Sequence, residues 1–355
     1  MSSANALTAR LGLRHPIVQG PFGGGLSTVE LAATVSNLGG LGSYGAHQMA
    51  PQAIIDVATQ LRARTQSPFA LNLWISDHDP GGRDLTPNEF ERYARALEPI
   101  FRELGLPLPQ PPAQYAQRYE EQIEALLQAR PPVFSFVFGV PSRAVLAACR
   151  ARNIATIGAA TSIAEAQALE AAGVDAIVAT GFEAGGHRPS FLANAEASLM
   201  GTFVLTQLVS TRVRIPVIAA GGIADRRGIA SAHALGAQAA QIGTAFLACR
   251  ESGTTDAHRA LLFSEAAQRT TLTRAFTGRL ARGIRNHWTD EIAPQLPSVA
   301  PFPVQSWFMA QLRGAALAAN RTDLIALWCG QIAPNLRHRG AAELFAALVD
   351  IQPAD

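Results

Sequence analysis

Eight short apolar runs, punctuated by helix-like stretches, constrain this 355-residue chain more than any other feature. The runs fall at 16–20, 41–45, 69–74, 133–139, 154–160, 176–181, 216–222 and 239–246. Between them lie alanine-rich amphipathic stretches at 28–38, 51–64, 142–150, 162–172, 195–209 and 225–235. A strand that is apolar along its whole length is buried on both faces, the condition of a parallel sheet covered by helices. Eight such units within about 250 residues predict a (β/α)₈ TIM barrel. A doubly wound dinucleotide fold is the rival. It is weakened because the first run leads into Gly20-Pro21-Phe22-Gly23-Gly24-Gly25, which lacks the GxGxxG spacing. Helix starts are marked as well: Ser27 or Thr28 precedes one, Pro51 suits a first turn, and the run from Thr161 through Ser162 to Glu165 offers a capping box.

Two stretches break the alternation. Residues 76–132 are too long for a bare connection and hold helix-like segments near 89–104 and 113–129. Beyond residue 246, helical stretches at 256–268 and 303–320 flank a proline-rich bend. The expected division is therefore a barrel from 1–75 and 133–255, with a smaller helical cap from 76–132 and 256–355 over its mouth.

Composition then removes several chemistries. All 29 basic residues are arginine, so a Schiff-base lysine, and with it a lysine-dependent aldolase, is excluded. An anionic cofactor must be held by backbone amides, hydroxyls or arginine. A net charge of +2 gives no electrostatic footprint for nucleic acid or an acidic membrane. Three widely spaced cysteines argue against a disulfide framework or a zinc site and suit a reducing compartment. Neither a signal-peptide pattern nor an apolar run of roughly 18 residues is present, and the expected location is cytoplasmic. His78, between Asp77 and Asp79, resembles a metal cluster but has no second ligand group at suitable spacing; no metal site is expected.

The strongest chemical signal closes the sixth run: Thr180-Gly181-Phe182-Glu183-Ala184-Gly185-Gly186-His187-Arg188-Pro189. In a barrel, residues just beyond a strand's C-terminal end face the catalytic mouth. Gly185 and Gly186 let the backbone approach a ligand, and His187 is suited to proton exchange near neutral pH. The bland alternative is a tight turn with an exposed histidine. The seventh and eighth runs end in Gly221-Gly222 and Gln241-Ile242-Gly243-Thr244, where barrels place a phosphate against backbone N–H groups. Arg279, Arg282 and Arg285 either steer an anionic substrate or solvate a surface. Trp74, Trp288, Trp307 and Trp328 read as packing, and Cys149 and Cys249 as small buried residues.

These pieces resemble the nitronate monooxygenase (2-nitropropane dioxygenase) family, most of all its bacterial class I branch. The resemblance runs through residues 15–21, 35–43, 69–73, 183–188, 277–283 and 327–331, nearly the whole chain, with Glu183-Ala184-Gly185-Gly186-His187-Arg188 its most specific segment. It implies a flavin-dependent monooxygenase that binds FMN and oxidises alkyl nitronates, with nitroalkanes as a second candidate, by O₂ to carbonyl compounds and nitrite. It places Gln19, Gly20, Pro21 and Phe22 beside the isoalloxazine and Asn72 near its polar edge. It puts Gly185, Gly186, Gly222, Gly243 and Thr244 around the ribityl phosphate, with Thr180, Gly221 and Gln241 completing the cofactor set. His187 is implied as base or charge partner. Phe22, Pro189 and Phe302 depart from the family's usual residues and bear on the substrate. The rival reading is an FMN-dependent NAD(P)H:quinone or enoyl reductase on the same barrel, because fold and cofactor do not fix a reaction. A non-catalytic flavin-binding protein is opposed by His187 at the mouth. The expected partners are an anionic small molecule and O₂, with neither nucleic acid nor membrane, and a homodimer is compatible with this reading.

Overall fold

The computed structural model describes residues 5–75 and 81–349; the Asp77-His78-Asp79 triplet lies outside them. Strands β1 (Ile17–Gln19), β2 (Gly42–Gly45), β3 (Phe69–Trp74), β4 (Val133–Val137), β5 (Ala155–Ala160) and β6 (Ala176–Thr180) follow one another in the chain. After a two-residue strand β7 (Gly186–His187) that belongs elsewhere, β8 (Val217–Ala220) and β9 (Ala239–Ile242) complete the set. The eight run parallel in the order β1-β9-β8-β6-β5-β4-β3-β2. A parallel bridge between Val18 and Leu41, carried by Leu41 N–H to the Ile17 carbonyl and Gln19 N–H to the Leu41 carbonyl at 2.9 Å each, joins the two ends. The fold is a (β/α)₈ barrel.

Alternate strand positions fill two different cores, which is why the runs are apolar throughout. Ile157, Ala159, Val178, Ile218 and Ala220 point into the barrel, where Leu7 and Leu11 of the helix Ala6–Leu11 join them. Phe134, Phe136, Ile177 and Ala179 point outward against the helices. Thr28, rather than Ser27, caps the helix Val29–Asn37 by accepting from Leu31 N–H at 3.0 Å. The expected capping box is modified. Ser162 accepts from Glu165 N–H at 3.2 Å, but the Glu165 carboxylate reaches back to Thr161, accepting from its N–H and hydroxyl at 2.7 Å each. Its other oxygen accepts from Phe191 N–H at 2.6 Å, tying the segment after His187 to this helix.

A second apolar cluster lies beside the barrel. It joins Phe90, Leu97 and Phe101 of the helix Pro87–Glu103 to Leu262, Trp288, Phe308, Leu312 and Leu324 of the C-terminal segment. Its composition departs from the expected cap at two helices. Tyr119–Ala129 buries Ile123 and Leu126 in the barrel's outer core, against the helix Pro51–Arg64, and Ala341–Val349 buries Leu344, Phe345 and Leu348 beside Val29–Asn37. Both carry an apolar face that the barrel helices cover. The region expected as one helix at 195–209 is a 3-10 turn, Ala195–Ser198, followed by the helix Thr202–Ser210.

The C-terminal segment also contains strands β10 (Thr270–Thr273) and β11 (Ala281–Ile284), which form an antiparallel sheet with β7 in the order β10-β11-β7. Ala281 pairs with His187 and Arg282 with Gly186. Among the described residues no helix is long and apolar enough to cross a membrane.

Candidate active site

A cavity of about 590 Å³ opens at the C-terminal ends of the barrel strands. Of the residues singled out from sequence, Gly20, Pro21, Phe22, Asn72, Thr180, Gly185, Gly186, His187, Gly221, Gly222, Gln241, Gly243 and Thr244 all line it. Gln19 does not. It is fully buried, donating from Nε2 to the carbonyls of Gly20 (2.7 Å) and Ser43 (2.9 Å) and accepting from Ser43 N–H (3.0 Å). Its amide is taken up in pinning β1 to β2 at the barrel's seam, so its side chain is not part of the cavity wall.

The turn after β6 explains itself residue by residue. The Glu183 carboxylate accepts from Thr202 N–H (2.9 Å) and its hydroxyl (2.9 Å), capping a helix start that has no cap of its own. Gly185 lies so close to the strap at 329–330 that a Cβ would stand 2.6 Å from Gly330 N. Gly186 has φ +75°, a conformation that favours glycine, and turns the chain into β7. Arg188 is buried; its guanidinium donates to the carbonyls of Thr180 (2.8 Å) and Ser198 (3.0 Å). Because β7 alternates, Arg188 points into the fold while His187 faces the cavity.

His187 Nε2 meets the Thr277 hydroxyl at 2.9 Å. Its ring lies 4.8 Å from Trp74, edge to face, and 5.2 Å from Trp328. Burial, followed by the nearby His47 and Arg279, pushes its pKa down to about 3, so the imidazole is neutral at neutral pH. A ring so held carries no positive charge with which to pair a resident anion. Positive charge comes instead from Arg279, whose guanidinium carbon lies 3.8 Å from the Phe138 centroid, 4.3 Å from Phe302 and 5.5 Å from Trp74. The three arginines of this stretch thus divide. Arg282 is a buried strut to the Phe182 carbonyl (2.9 Å) and the Thr270 hydroxyl (3.0 Å), and Arg285 pairs with Asp290 at the surface.

Sequence reasoning missed His47, Trp74 and Trp328 as cavity residues. Trp74 ends β3, and His47 stands two residues beyond β2, so the strand-end rule, applied to every strand, would have found both. Trp288 is fully buried, and Trp307 packs against Phe90, Tyr115 and Phe308, as the packing reading holds. All three cysteines are buried with their thiol pKa values pushed up by burial, Cys149 to about 11 and Cys249 and Cys329 to about 12.

The glycine-rich strand ends have the form a phosphate-bearing, planar ligand requires. A Cβ added at Gly243 would meet nothing within 4 Å, so that backbone borders open space. Gly20 approaches it so closely that its own Cβ would lie 3.2 Å from the Gly243 Cα. The Thr244 hydroxyl lines the same cavity and accepts from Gly330 N–H at 2.9 Å.

Fold and site together define a (β/α)₈-barrel enzyme whose ligand cavity lies at the strand C-terminal ends. Within that class, the nitronate monooxygenase family matches residues 4–350, and the chain belongs to it. It is 42% identical to the nitronate monooxygenase of Paraburkholderia phytofirmans over 97% of this chain and 93% of the relative. It is 40% identical to that of Pseudomonas aeruginosa over 97% of each chain. Among solved structures, it is similar to nitroalkane oxidase from Streptomyces ansochromogenes, with a TM-score of 0.88 and 37% identity, covering 98% of this chain and 97% of the other. Family membership makes the chain an oxidoreductase of the monooxygenase type.

Proposed function

We propose that this protein binds FMN and oxidises alkyl nitronates by O₂ to carbonyl compounds and nitrite, with His187 as the base that admits neutral nitroalkanes. The observation that carries the reading is the neutral imidazole of His187, held by Thr277 at a glycine-floored cavity, with the Arg279 charge beside it. Bound FMN supplies electron acceptance and the chemistry with O₂. The protein's part is to hold, orient and exclude. Backbone at Gly185, Gly186, Gly221, Gly222 and Gly243 and the Thr244 hydroxyl would hold the phosphate, without any lysine. Gly20, Pro21, Phe22 and Asn72 would border the ring, with Thr180 and Gln241 in the same cofactor wall. The aromatic wall of Trp74, Phe138 and Trp328 keeps water from the reacting carbon. Arg279 favours an anion near that wall and so stabilises the nitronate that forms as a nitroalkane loses its proton, while the same field lowers the basicity of the His187 ring that would take that proton.

The test is anaerobic mixing of the flavin-loaded protein with a panel of alkyl nitronates and, separately, with NADH or NADPH. Nitronates should bleach the flavin, and admission of O₂ should restore its colour with release of nitrite. Bleaching by a reduced nicotinamide alone, with no response to any nitronate, would replace this reading with the reductase. Mass spectrometry of the heat-released cofactor should give FMN; FAD would overturn the phosphate placement.

A further inference from the structure

His47 is a second imidazole at the same mouth, and proton transfer by His187 leaves it without a task. Its ring lies flat on Trp74, centroids 3.8 Å apart and planes 7° apart, while His187 meets the same indole by its edge. The placement is enforced from several sides. The His47 carbonyl accepts from Gln122 Nε2 at 2.8 Å. At the ring's Cε1 edge Gly23 has no side chain, and a Cβ there would stand 2.0 Å from His47 Cε1. The ring is thus stacked on a tryptophan with a glycine backbone at its Cε1 edge, and the residue lines the cavity.

Its two nitrogens have different surroundings. Nδ1 is buried and has no hydrogen-bond partner among the described residues, and because the residue lines the cavity, Nε2 is the ring nitrogen left to meet a ligand. A buried N–H without an acceptor is the costlier of the two possible orphans, so the hydrogen resides on Nε2 and points at the ligand space. Burial and Arg279 hold the ring neutral, with a pKa near 3. The site therefore has two neutral imidazoles with opposite polarity: His187 suited to take a proton, His47 suited to donate a hydrogen bond without a charge.

We propose that His47 is a substrate-binding residue whose Nε2–H donates to an oxygen of the nitro or nitronate group. The inference rests on the nitronate reading. It also sorts the kinetic consequences. A preformed nitronate carries its negative charge on oxygen before reaction, so a donor to that oxygen contributes mainly to binding and is read in KM. In a neutral nitroalkane the charge reaches the oxygens only as the carbon loses its proton, so the same donor stabilises the transition state and is read in kcat.

The test uses the FMN-bound protein with His47→Phe, which keeps the stack on Trp74 but removes the donor, and His47→Gln, which restores a donor. His47→Phe should raise KM for a primary alkyl nitronate about 10- to 100-fold with little change in kcat, and lower kcat on the parent nitroalkane by a similar factor. Inorganic nitrite, a small anion with two oxygens, should bind about 10-fold or more weakly when titrated against the flavin spectrum, and His47→Gln should recover part of each loss. Unchanged nitronate KM and nitrite affinity in His47→Phe would overturn the proposal, as would loss of FMN from both variants, which would assign His47 to packing. Should the wild type turn over no nitronate at all, the oxidation reading falls while the nitrite titration still decides the role of His47.

Discussion

A histidine enclosed by Trp74 and Trp328, with a guanidinium nearby, is neutral in the resting site, and its replacement tests whether it takes the substrate's proton. His187→Asn should retain FMN, because no phosphate contact depends on the ring, and lose roughly 10²–10⁴-fold on neutral nitroalkanes. Preformed nitronates, already deprotonated, should lose far less; equal losses on both forms would remove the base role. Glycine 243 gives a second residue-scale expectation. A Cβ there meets nothing, so Gly243→Val fills ligand space, on a backbone at φ −96° and ψ −84°, just outside the usual helical region. Flavin affinity should fall while the apoprotein's Tm stays within a few degrees, checked by fluorescence titration and calorimetry. Thr244→Ala should cost about 1–3 kcal/mol of stability, because the buried Gly330 N–H loses its acceptor. At this scale the sequence was most legible where backbone chemistry spoke, as in the glycine pairs. It was silent at Gln19, whose position beside Gly20-Pro21 says nothing of an amide bonded to the Ser43 backbone.

The elements that frame the mouth are short and come from distant parts of the chain. Strand β7 is two residues long, and its partner β11 contains the buried Arg282. Neither Gly186-His187 nor Ala281-Arg282-Gly283-Ile284 shows the two-residue alternation by which strands are recognised, so the sheet was invisible to pattern reading. The barrel strands were legible because burial on both faces makes them apolar throughout. Docking of the β6–β7 turn on the strap at 329–330 depends on Gly185, and the clash falls on backbone rather than on a flexible side chain. Gly185→Ala should therefore separate the two segments. The expected result is about 1–3 kcal/mol of destabilisation together with weaker FMN retention, measured by urea unfolding and ultrafiltration. A stable variant that still holds flavin at wild-type affinity would show that the strap is not needed to close the site.

Among the described residues the fold lowers the pKa of four histidines, each chiefly by burial: His47 and His187 to about 3, His258 to about 4, and His15, which Arg14 lowers further. His258 Nε2 lies 3.1 Å from the Trp328 carbonyl, so it tethers the same strap from which the Trp328 ring reaches His187. In the unfolded chain each histidine titrates near 6.5. Above that pH they are neutral in both states and cost nothing. As pH falls below it, the unfolded chain takes up protons that the native state excludes, and stability drops by roughly 1 kcal/mol per pH unit for each histidine until its folded pKa is reached. Carboxylates act in a lower window. The pKa of Asp225 is lowered to about 2, chiefly by Gly228 N–H, so its contribution is present above about pH 4, the usual range of an unfolded aspartate, and is lost only below that. Acid sensitivity should therefore begin well above the carboxylate range. The urea midpoint of the apoprotein is expected to fall steadily between pH 6.5 and 5. His258→Gln, which keeps a donor for the Trp328 carbonyl, should make that fall shallower, and His47→Gln should add a similar reduction. A midpoint that is flat from pH 7 to 5 in the parent protein would mean that the native state admits these protons, and that the two imidazoles at the mouth are not held neutral by the fold.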